Sequence, residues 1–456
     1  MTALVNFRPA ALVQRLKASK LVRNAAILAS GTVAGQMIIW SATPILTRLY
    51  SPAEYGVFGV FMTLAVLLAV IGTLRFDQAI MLERSDAGAA RVLALCFAVS
   101  IVVAVIAVPA VLLAQWAYRS NVGPAAATDI WDFLVFIPLL ALPTSLRAAV
   151  NMAQIRGKNF KIVALTDVFN AGFMSGTQLV AGLLGAGAAG LIAGPSVAAA
   201  VSAGLLITFL WWQGFFKNLA GVTLSEVLAK ARQHYRFAVF SMPGALLEKF
   251  AKRLPIFVLA AFFGVAEVGF FWLTFRLFVQ PMRLLARNTR KAYYQRAVEL
   301  HHRGRSLAPL LKRTTIILVL LTTPPMLCFA FFGEELFSFI FGAEWRRAGE
   351  YAQWMWILPI FALMRIPSLE LAPIFNRQGT VLMFQSANPV LRAMALLVGG
   401  LYGDDLLAIA LFSIVSASAN FMLVLYFWRL ALVTPPIKPT SDVSHSHGAS
   451  AGEEGV

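Results

Sequence analysis

The chain has 456 residues, of which 59% are hydrophobic and only 13% are charged, and its mean hydropathy is +0.75. A soluble domain carries about 25% charged residues, so this composition excludes an ordinary soluble protein and indicates a membrane protein. The formal net charge of +17 raises nucleic acid as an alternative partner, and the positions of the basic residues decide against it.

Apolar runs follow one another along the chain with short connections between them. An α-helix needs about 20 mainly apolar residues to cross the hydrocarbon, and these runs are too long and too evenly apolar for barrel strands. The sequence therefore predicts an all-α polytopic membrane protein with about 12 transmembrane helices. The predicted spans are 24–47, 55–74, 92–114, 131–154, 162–184, 188–212, 238–262, 268–286, 315–333, 351–374, 381–400 and 406–428.

The basic residues set the predicted orientation. With the N-terminus inside, 26 of the 38 lysines and arginines fall in cytoplasmic segments and 4 fall in outer loops, namely Arg48, Arg119, Arg346 and Arg347. This asymmetry follows the positive-inside rule and predicts that both termini are cytoplasmic. The first span is full length and has no evident cleavage site before it, so we expect it to be retained in the membrane.

Neither a metal site nor a cofactor site is predicted. Cys96 and Cys328 lie inside apolar spans, where a thiol is a packing residue, and His445 and His447 lie in a polar tail. The segment GAGAAG at residues 185–190 matches the dinucleotide-binding glycine pattern. It stands between two spans rather than between a strand and a soluble helix, which favours a tight outer turn.

A short pattern occurs twice. SPAEYGVF at 51–58 and GVAEVGFF at 264–271 both place Ala-Glu-x-Gly-apolar-Phe before the second span of a group of six, where chance recurrence is the alternative. Six spans return the chain to the side on which it began, so the repeat predicts two parallel six-helix lobes. The predicted boundaries are a basic cytoplasmic N-terminus at 1–23, an N-lobe at 24–212, a cytoplasmic connector at 213–237, a C-lobe at 238–430 and a disordered cytoplasmic tail at 431–456.

Charged residues inside the predicted spans are candidate binding positions, because a charge at the bilayer centre costs at least about 2.5–3.5 kcal/mol. The acids are too few to neutralise the bases, so we expect a water-filled cationic cavity; snorkelling of long side chains to the interface is the alternative. The acids are also candidates for ion coupling. The bases are Lys249, Lys252, Arg253, Arg276, Arg365, Arg392, Arg147 and Arg283, and the acids are Asp167, Glu248 and Glu370.

Several phrases, taken in order, extend this interpretation: LTRLYSPAEYGVFGVF at 46–61, QIRGKNFK at 154–161, RFAVFSMPG at 236–244, GVAEVGFF, and FGAEWRRAGEYA at 341–352. In these phrases the chain resembles polysaccharide biosynthesis and export proteins, the Wzx-type flippases of the MOP superfamily that also contains MATE extruders and the lipid II flippase MurJ. The resemblance covers the chain to about residue 430. The positions that match recurrent phrases are Arg48, Glu54, Gly56, Gly342, Glu344 and Trp345.

The resemblance implies a MATE-like fold of two lobes that open alternately to each side of the bacterial inner membrane. The implied substrate is an undecaprenyl-diphosphate-linked oligosaccharide, carried outward for O-antigen, capsule or exopolysaccharide synthesis. The implied partners are this substrate, membrane lipids, and a polysaccharide polymerase with its export machinery, without nucleic acid. No catalytic residue and no cofactor are implied, and coupling to a proton or sodium gradient is left open.

Three alternative functions are retained. A purely structural membrane scaffold would not need the five unmatched charges inside the spans. A MATE-like small-molecule or drug antiporter has the same fold, but export of cationic drugs calls for an acidic cavity. A membrane polysaccharide polymerase or ligase has similar hydropathy, but such enzymes typically carry a substantial outer loop, and the longest one predicted here, residues 334–350, is short.

Overall fold

The structure is a computed structural model that describes residues 20–122, 129–219 and 222–433. Within these ranges the regular secondary structure is helical, without strands. The predicted basic N-terminus up to residue 19 and the predicted disordered tail from residue 434 lie outside the described residues.

The described part of the chain contains sixteen α-helices. They are α1 Lys20–Leu49, α2 Pro52–Thr73, α3 Asp86–Val122, α4 Asp129–Phe133, α5 Ile137–Arg156, α6 Phe160–Leu183, α7 Gly187–Trp212, α8 Leu224–Gln233, α9 Met242–Phe262, α10 Val265–His302, α11 Ala308–Phe341, α12 Arg346–Met355, α13 Ile357–Met364, α14 Ile366–Leu371, α15 Gln378–Leu401 and α16 Asp405–Val433.

Each predicted span coincides with one of these helices or with a run of consecutive ones. Among the described residues, eight helices are long and apolar enough to cross a membrane, and a bent element adds a ninth, formed by Ala343–Met355 and Ile357–Leu371 at an angle of 41°. The predicted spans that fall short of this apolar criterion correspond to α6, α9 and α10. These helices carry Asp167, Lys249 and Arg276, so the residues that lower their hydropathy are candidate site residues.

The helices form two compact units. The first contains Met1–Arg276, Phe332–Gln353 and Ala393–Ile409, and the second contains Leu277–Phe331, Trp354–Arg392 and Ala410–Val456. Helices α10, α11, α12, α15 and α16 therefore each contribute one part to each unit. The predicted lobe boundaries at residues 212 and 238 follow the repeat rather than these contacts, and they stay a prediction.

Small residues bring helices close together within the first unit. A methyl group built on Gly31 of α1 would lie 2.6 Å from the Cα of Ala164 of α6, and one on Gly35 would lie 3.2 Å from the carbonyl oxygen of Asp167. Membrane helices pack through such close backbone contact because lipid supplies no hydrophobic force between them. The spacing of four residues puts both glycines on one face of α1, which therefore lies directly against the helix that carries Asp167.

The two copies of the repeated pattern meet in the first unit. A methyl group on Gly56 of α2 would lie 1.6 Å from the carbonyl oxygen of Val265, and one on Gly269 of α10 would lie 1.9 Å from the carbonyl oxygen of Pro52. Each glycine thus contacts the residue four positions before the other. The two copies of the pattern therefore form a helix crossing, at which each glycine lies against the backbone of the other helix and only glycine fits.

The second unit has its own apolar core. Tyr293 of α10, Leu311 of α11, Leu371 of α14 and Phe427 of α16 are buried together there. A smaller cluster joins Leu363 to α10 and α11. The unit is therefore held by side-chain packing between helices that are distant in sequence.

The predicted connector is folded onto the first unit. Its helix α8 begins with a capping box, in which the Thr223 hydroxyl accepts a hydrogen bond from the backbone N–H of Glu226. Val227 and Ala231 of this helix pack against the core formed around Ile80, Leu93 and Leu206. Helix α8 of the connector thus packs one face against the core of the first unit.

Candidate substrate-binding site

Helix α9 carries the densest group of candidate cations. Lys249, Lys252 and Arg253 recur on it at spacings of three and four residues, which places them near one another on the helix surface. Lys252 forms the expected ion pair with Glu248, and both side chains are exposed. Lys249 is half-buried. The single nearby carboxylate of α9 leaves this group with a net positive charge.

Arg253 is held by two groups on other helices. One of its terminal nitrogens donates to the hydroxyl of Thr63 on α2 at 3.1 Å. Its guanidinium also lies over the ring of Trp272 on α10, 5.7 Å from the centroid, within the range of a cation–π contact. Arg253 therefore has a fixed place beside the helices that cross at Gly56 and Gly269.

Arg75 joins this group from the first half of the chain. Helix α2 ends at Thr73, and Leu74 and Arg75 then adopt positive φ angles of 44° and 64°. The turn brings Arg75 close enough to interact electrostatically with both Glu248 and Lys249. Its Nε atom is buried and has no hydrogen-bond partner. Among the described residues, the charged neighbours of Lys249 are therefore three further cations and one acid.

Sequence reasoning missed Arg75 because the residue directly follows an apolar run and was assigned to an inner loop. The sequence does show that Arg75 directly follows the last turn of a predicted span. A side chain at such a position either stays at the membrane interface or folds back toward the helices. Only the left-handed turn at Leu74 and Arg75 decides between these outcomes.

Arg276 lies on α10 at the boundary of the first unit. It interacts electrostatically with the hydroxyl of Tyr55, which is itself buried, and no ion pair forms at Arg276 within the described part of the chain. A cation at this depth without an acid is expected to need water or an anionic ligand.

A second cationic group lies within the second unit. Arg365 and Arg392 interact electrostatically with each other, and the Nε atom of each is buried without a hydrogen-bond partner. The guanidinium of Arg392 lies 5.4 Å from the ring centroid of Phe412. Glu370 is instead paired with Arg290 at 3.3 Å. Arg365 and Arg392 thus form a like-charged pair.

Arg283 also belongs to the second unit, where its side chain is exposed. Exposure near the inner end of a span is the geometry that snorkelling produces, so the structure leaves that alternative in place for Arg283. Arg283 and the cations of α9 belong to different units of the structure.

Arg147 and Asp167 pair with each other inside the first unit. A terminal nitrogen of Arg147 donates to the Asp167 carboxylate at 2.6 Å, and the hydroxyl of Thr32 lies 3.5 Å from its other oxygen. Each of the two charged side chains is 27% exposed. Asp167 is therefore much less exposed than Glu248, whose side chain is 63% exposed, while Glu370 is 22% exposed in its pair with Arg290.

The phrase-matching residues of the loops come together at one place. Arg48 and Glu54 line a cavity of about 450 Å³ together with Gly342, Glu344 and Trp345. We call this the outer cavity, because the predicted orientation puts it on the outer face. Gly56, the remaining residue of this set, lies next to it at the crossing of α2 with α10.

A metal centre would need several histidine, cysteine, aspartate or glutamate side chains close together. Within residues 20–122, 129–219 and 222–433, no group of three or more histidine, cysteine, aspartate or glutamate side chains has a metal-binding arrangement.

Comparison with known families decides the identity of the fold. The model of the family described as polysaccharide biosynthesis protein matches residues 45–350, which is more than half of the chain. The chain belongs to the polysaccharide biosynthesis protein family. The match includes both copies of the repeated pattern and ends within the FGAEWRRAGEYA phrase, so the resemblance inferred from these phrases is confirmed. No curated protein matches the sequence.

Solved structures with the same fold are transporters. A MATE multidrug resistance transporter of the MOP superfamily in an inward-facing conformation superposes with a TM-score of 0.65 at 14% identity, over 88% of this chain and 96% of its own. The lipid II flippase MurJ superposes with a TM-score of 0.61 at 11% identity, over 91% and 88% respectively. A MOP superfamily transporter from Pyrococcus furiosus gives 0.59 at 13% identity, over 90% and 94%.

These similarities show a MOP superfamily fold and, with the family match, indicate a Wzx-type member. This polysaccharide biosynthesis protein is therefore a multi-pass membrane protein with the fold of MOP superfamily transporters. The fold prediction is confirmed. The roles of individual charged residues stay predictions, to which the structure adds their neighbours.

Proposed function

We propose that this protein is a flippase that moves an undecaprenyl-diphosphate-linked oligosaccharide from the cytoplasmic to the outer leaflet of the bacterial inner membrane. The two predicted lobes would open alternately to each side, and no covalent bond would change. The glycan would then enter O-antigen, capsule or exopolysaccharide synthesis. The substrate would pass to a polysaccharide polymerase and its export machinery, which are the proposed partners.

The single observation that carries this proposal is the excess of cations over acids among the interior helices. In the described part of the chain, Lys249 interacts electrostatically with Arg75, Lys252 and Arg253 and with a single acid, Glu248. A diphosphate supplies the missing negative charge, since arginine binds phosphate oxygens with two parallel hydrogen bonds and lysine attracts them as a point charge. Of these cations, Arg253 is the most firmly placed, because Thr63 and Trp272 hold it.

The sign of this charge separates the proposal from export of cationic drugs. A cationic substrate would be repelled by the group on α9, whereas an anionic lipid head group would be attracted. The Pyrococcus furiosus MOP transporter has itself been described as having a binding pocket of reversed polarity that suggests a different function. The same physical reasoning supports an anionic substrate here.

Energy coupling is proposed to involve Asp167. A transporter cycle needs a group whose interaction differs between two states, and an enclosed carboxylate that exchanges Arg147 for a proton or a sodium ion has this property. The 2.6 Å pair with Arg147 gives Asp167 a defined partner to exchange. The exposed pair of Glu248 with Lys252 is worth little by comparison, because exposed ion pairs contribute about 0–1 kcal/mol.

The test is deletion of the gene in the strain from which the protein comes. We expect surface polysaccharide to disappear and lipid-linked oligosaccharide to accumulate on the cytoplasmic leaflet, with both effects reversed by a plasmid copy. Leaflet location is measured by the access of an impermeant glycan-modifying enzyme to spheroplasts and to inverted vesicles. Accumulation of single glycan units on the outer leaflet would instead indicate a polymerase, and unchanged surface polysaccharide would reject the proposal.

A further inference from the structure

The outer cavity joins two chain segments that lie far apart in sequence. One wall runs from Thr47 to Glu54, across the end of α1 and the start of α2, and the other runs from Phe341 to Trp345. All of these residues belong to the first unit. The volume of about 450 Å³ lies within the range of about 300–1,000 Å³ that is typical of small-ligand sites.

The walls of the outer cavity are fixed by buried aromatic residues. Trp345 is fully buried, and its indole N–H donates to the carbonyl oxygen of Thr47 at 2.8 Å. Tyr50 is also buried, and its hydroxyl donates to the carbonyl oxygen of Gln178 at 2.6 Å. One bond therefore ties the two walls to each other and the other ties the first wall to α6. A ligand would meet a preformed site.

The conformation of the second wall depends on Gly342. Its φ of 110° and ψ of 159° lie in a region that only glycine adopts readily. The turn starts the 3₁₀ helix Ala343–Trp345, which puts Trp345 into the core and leaves Glu344 exposed. The phrase FGAEW therefore specifies both the buried anchor and the exposed carboxylate of this wall.

Polar groups in the outer cavity retain unused hydrogen-bonding capacity. Arg48 donates one hydrogen bond, from a terminal nitrogen to the carbonyl oxygen of Phe339 at 3.1 Å, and its guanidinium has further N–H groups. One oxygen of Glu54 accepts from Ser51 at the helix cap, while the other accepts nothing in the described structure. Glu344 has neither a hydrogen bond nor an ion pair within the described residues.

This combination of charges selects a class of ligand. A phosphate would be repelled by two carboxylates, and a simple cation would be repelled by the guanidinium. Hydroxyl groups both donate and accept, so a polyhydroxylated molecule satisfies carboxylates and guanidinium at the same time. The exported glycan is such a molecule, and it leaves the transporter on this face of the predicted topology.

We propose that the outer cavity is a saccharide-binding site for sugar units of the exported glycan, with Arg48 and Glu344 as the main hydrogen-bonding residues. The inference rests on the proposed function, which supplies the glycan. The outer cavity is separate from the cations on α9, since it contains none of them. It receives the glycan on the outer side, while the diphosphate is bound by the α9 group.

Thiol labelling in intact cells tests the saccharide site directly. Ala343 is exposed in the outer cavity, so Ala343→Cys is placed in a protein whose Cys96 and Cys328 are replaced by alanine and serine. The reagent is an impermeant maleimide, and the probe is oligosaccharide released by mild acid from the same strain's surface polysaccharide. We expect labelling to become about threefold slower at a probe concentration of twice its Kd, by simple occupancy.

Matched variants distinguish binding from general shielding. Leu184→Cys lies on a different predicted outer turn and is exposed, so the probe is expected to leave its labelling unchanged. Adding Glu344→Gln or Arg48→Lys to Ala343→Cys is expected to remove the protection at the same probe concentration. Equal protection of both cysteines, protection that survives both substitutions, or no protection at saturating probe would overturn the proposal.

The same cells separate this inference from the proposed function. Each variant is expressed in the deletion strain, and surface polysaccharide is measured alongside labelling. Restored polysaccharide without protection of Ala343→Cys rejects the saccharide site alone. Protein at normal abundance that restores no polysaccharide, even without the cysteine substitutions, rejects the proposed function and with it the origin of the ligand.

Discussion

Gly56 and Gly269 contact each other through a reciprocal crossing of α2 and α10. A methyl group on either one would lie within 2 Å of a carbonyl oxygen four residues before the other, at Val265 or Pro52. The two glycines occupy the same position in the repeated pattern, so the repeat specifies a contact as well as a fold. The crossing joins the first part of α10 to α2 within the first unit.

Replacement of Gly56 by alanine should therefore force α2 and α10 apart. Overpacking of this kind costs about 1–3 kcal/mol. Thr63, two turns further along α2 and fully buried, reports the change. We expect Thr63→Cys to react with an impermeant maleimide from outside much faster when Gly56→Ala is also present. Gly172→Ala is the matched control, since nothing lies within 4 Å of its added methyl group. Unchanged labelling at normal protein abundance would show that α2 and α10 accommodate the added methyl group without moving apart.

Arg253 should be more important for export than its neighbours on α9. Hydrogen bonds to charged groups are worth about 1.5–3 kcal/mol, so we expect Arg253→Ala to reduce export roughly 10- to 100-fold at normal protein abundance. Arg276→Ala, Lys252→Ala and Arg75→Ala should also reduce export, and Arg276→Lys should rescue it only if charge matters more than bidentate geometry. The measurement is the initial rate of surface polysaccharide appearance after induction.

The control for the cation variants is Arg346→Ala, because Arg346 is exposed and paired with Glu334 in a predicted outer loop. Its loss should change export little. Full export by a normally expressed protein that lacks Lys252, Arg253 and Arg276 together would rule out this group as the diphosphate site.

Asp167→Asn should uncouple export from its driving gradient. The substitution keeps the shape of the side chain but removes the charge that holds Arg147 and that would bind a proton or sodium ion. In inverted vesicles, we expect an imposed proton or sodium gradient to accelerate transport of lipid-linked oligosaccharide by the unaltered protein and to leave the variant at its basal rate. Glu248→Gln is the comparison, since that acid is exposed. Equal acceleration of Asp167→Asn would exclude Asp167 from coupling.

The connector should detach from the first unit when Glu83 is replaced. The Glu83 carboxylate accepts hydrogen bonds from Lys230 at 2.7 and 2.8 Å and from a ring nitrogen of His234 at 2.8 Å, assigned as the donor. Its side chain is only 8% exposed. Loss of these charged bonds costs about 1–3 kcal/mol. We expect Glu83→Gln to increase hydrogen exchange in Leu224–Gln233, with Glu299→Gln, whose bond to Arg296 is exposed, as the control.

The same contact predicts a pH dependence. Burial raises the pKa of the Glu83 carboxyl, but the hydrogen bonds from Lys230 and His234 outweigh it and lower the pKa below its ordinary value of 4.5. A lowered folded-state pKa stabilises the contact at every pH above that ordinary value and loses its effect as pH falls through the lowered one. Protection of the α8 amides, expressed relative to their intrinsic exchange rate at each pH, should therefore stay constant from neutral pH down to about 4.5 and fall below it. Protection that stays unchanged below pH 4.5 would show that the Glu83 carboxylate does not hold α8.

Thiol accessibility also tests the predicted topology. Cysteines placed near Gly185 and Asp404 should react with an impermeant reagent from outside, while cysteines near Gly157 and Gly304 should not react in intact cells. All four positions lie in turns between helices, so a cysteine beside them should be tolerated. The opposite pattern would reverse the orientation inferred from the basic residues.

The helices and their order could be predicted from the sequence because that signal is local. Whether a run of about 20 residues can cross a membrane depends on its own composition, so each span was found without knowledge of its neighbours. The charge count likewise identified Lys249, Lys252 and Arg253 as residues that lipid cannot accommodate cheaply. The pair of Glu248 with Lys252 followed from helical spacing alone.

The partners of these residues could not be found in this way, because they depend on contacts between distant segments. Arg75 joins Lys249 only through a left-handed turn after α2, and Asp167 meets Arg147 only because α5 and α6 lie side by side. Charged residues also lower the mean hydropathy of a helix. Helices α9 and α10 therefore fall below the apolar criterion because they carry the charged residues of the candidate site.

The repeated pattern marks the boundary between what the sequence and what the tertiary structure determine. The sequence by itself determined that Gly56 and Gly269 occupy equivalent positions of the repeated pattern, since this equivalence follows from comparing residue types along the chain. Only the tertiary structure decided that the two glycines contact each other and that Arg48 and Glu344 line one cavity. The physical reason is that helix packing depends on the shapes of both surfaces at once, and no single segment contains that information.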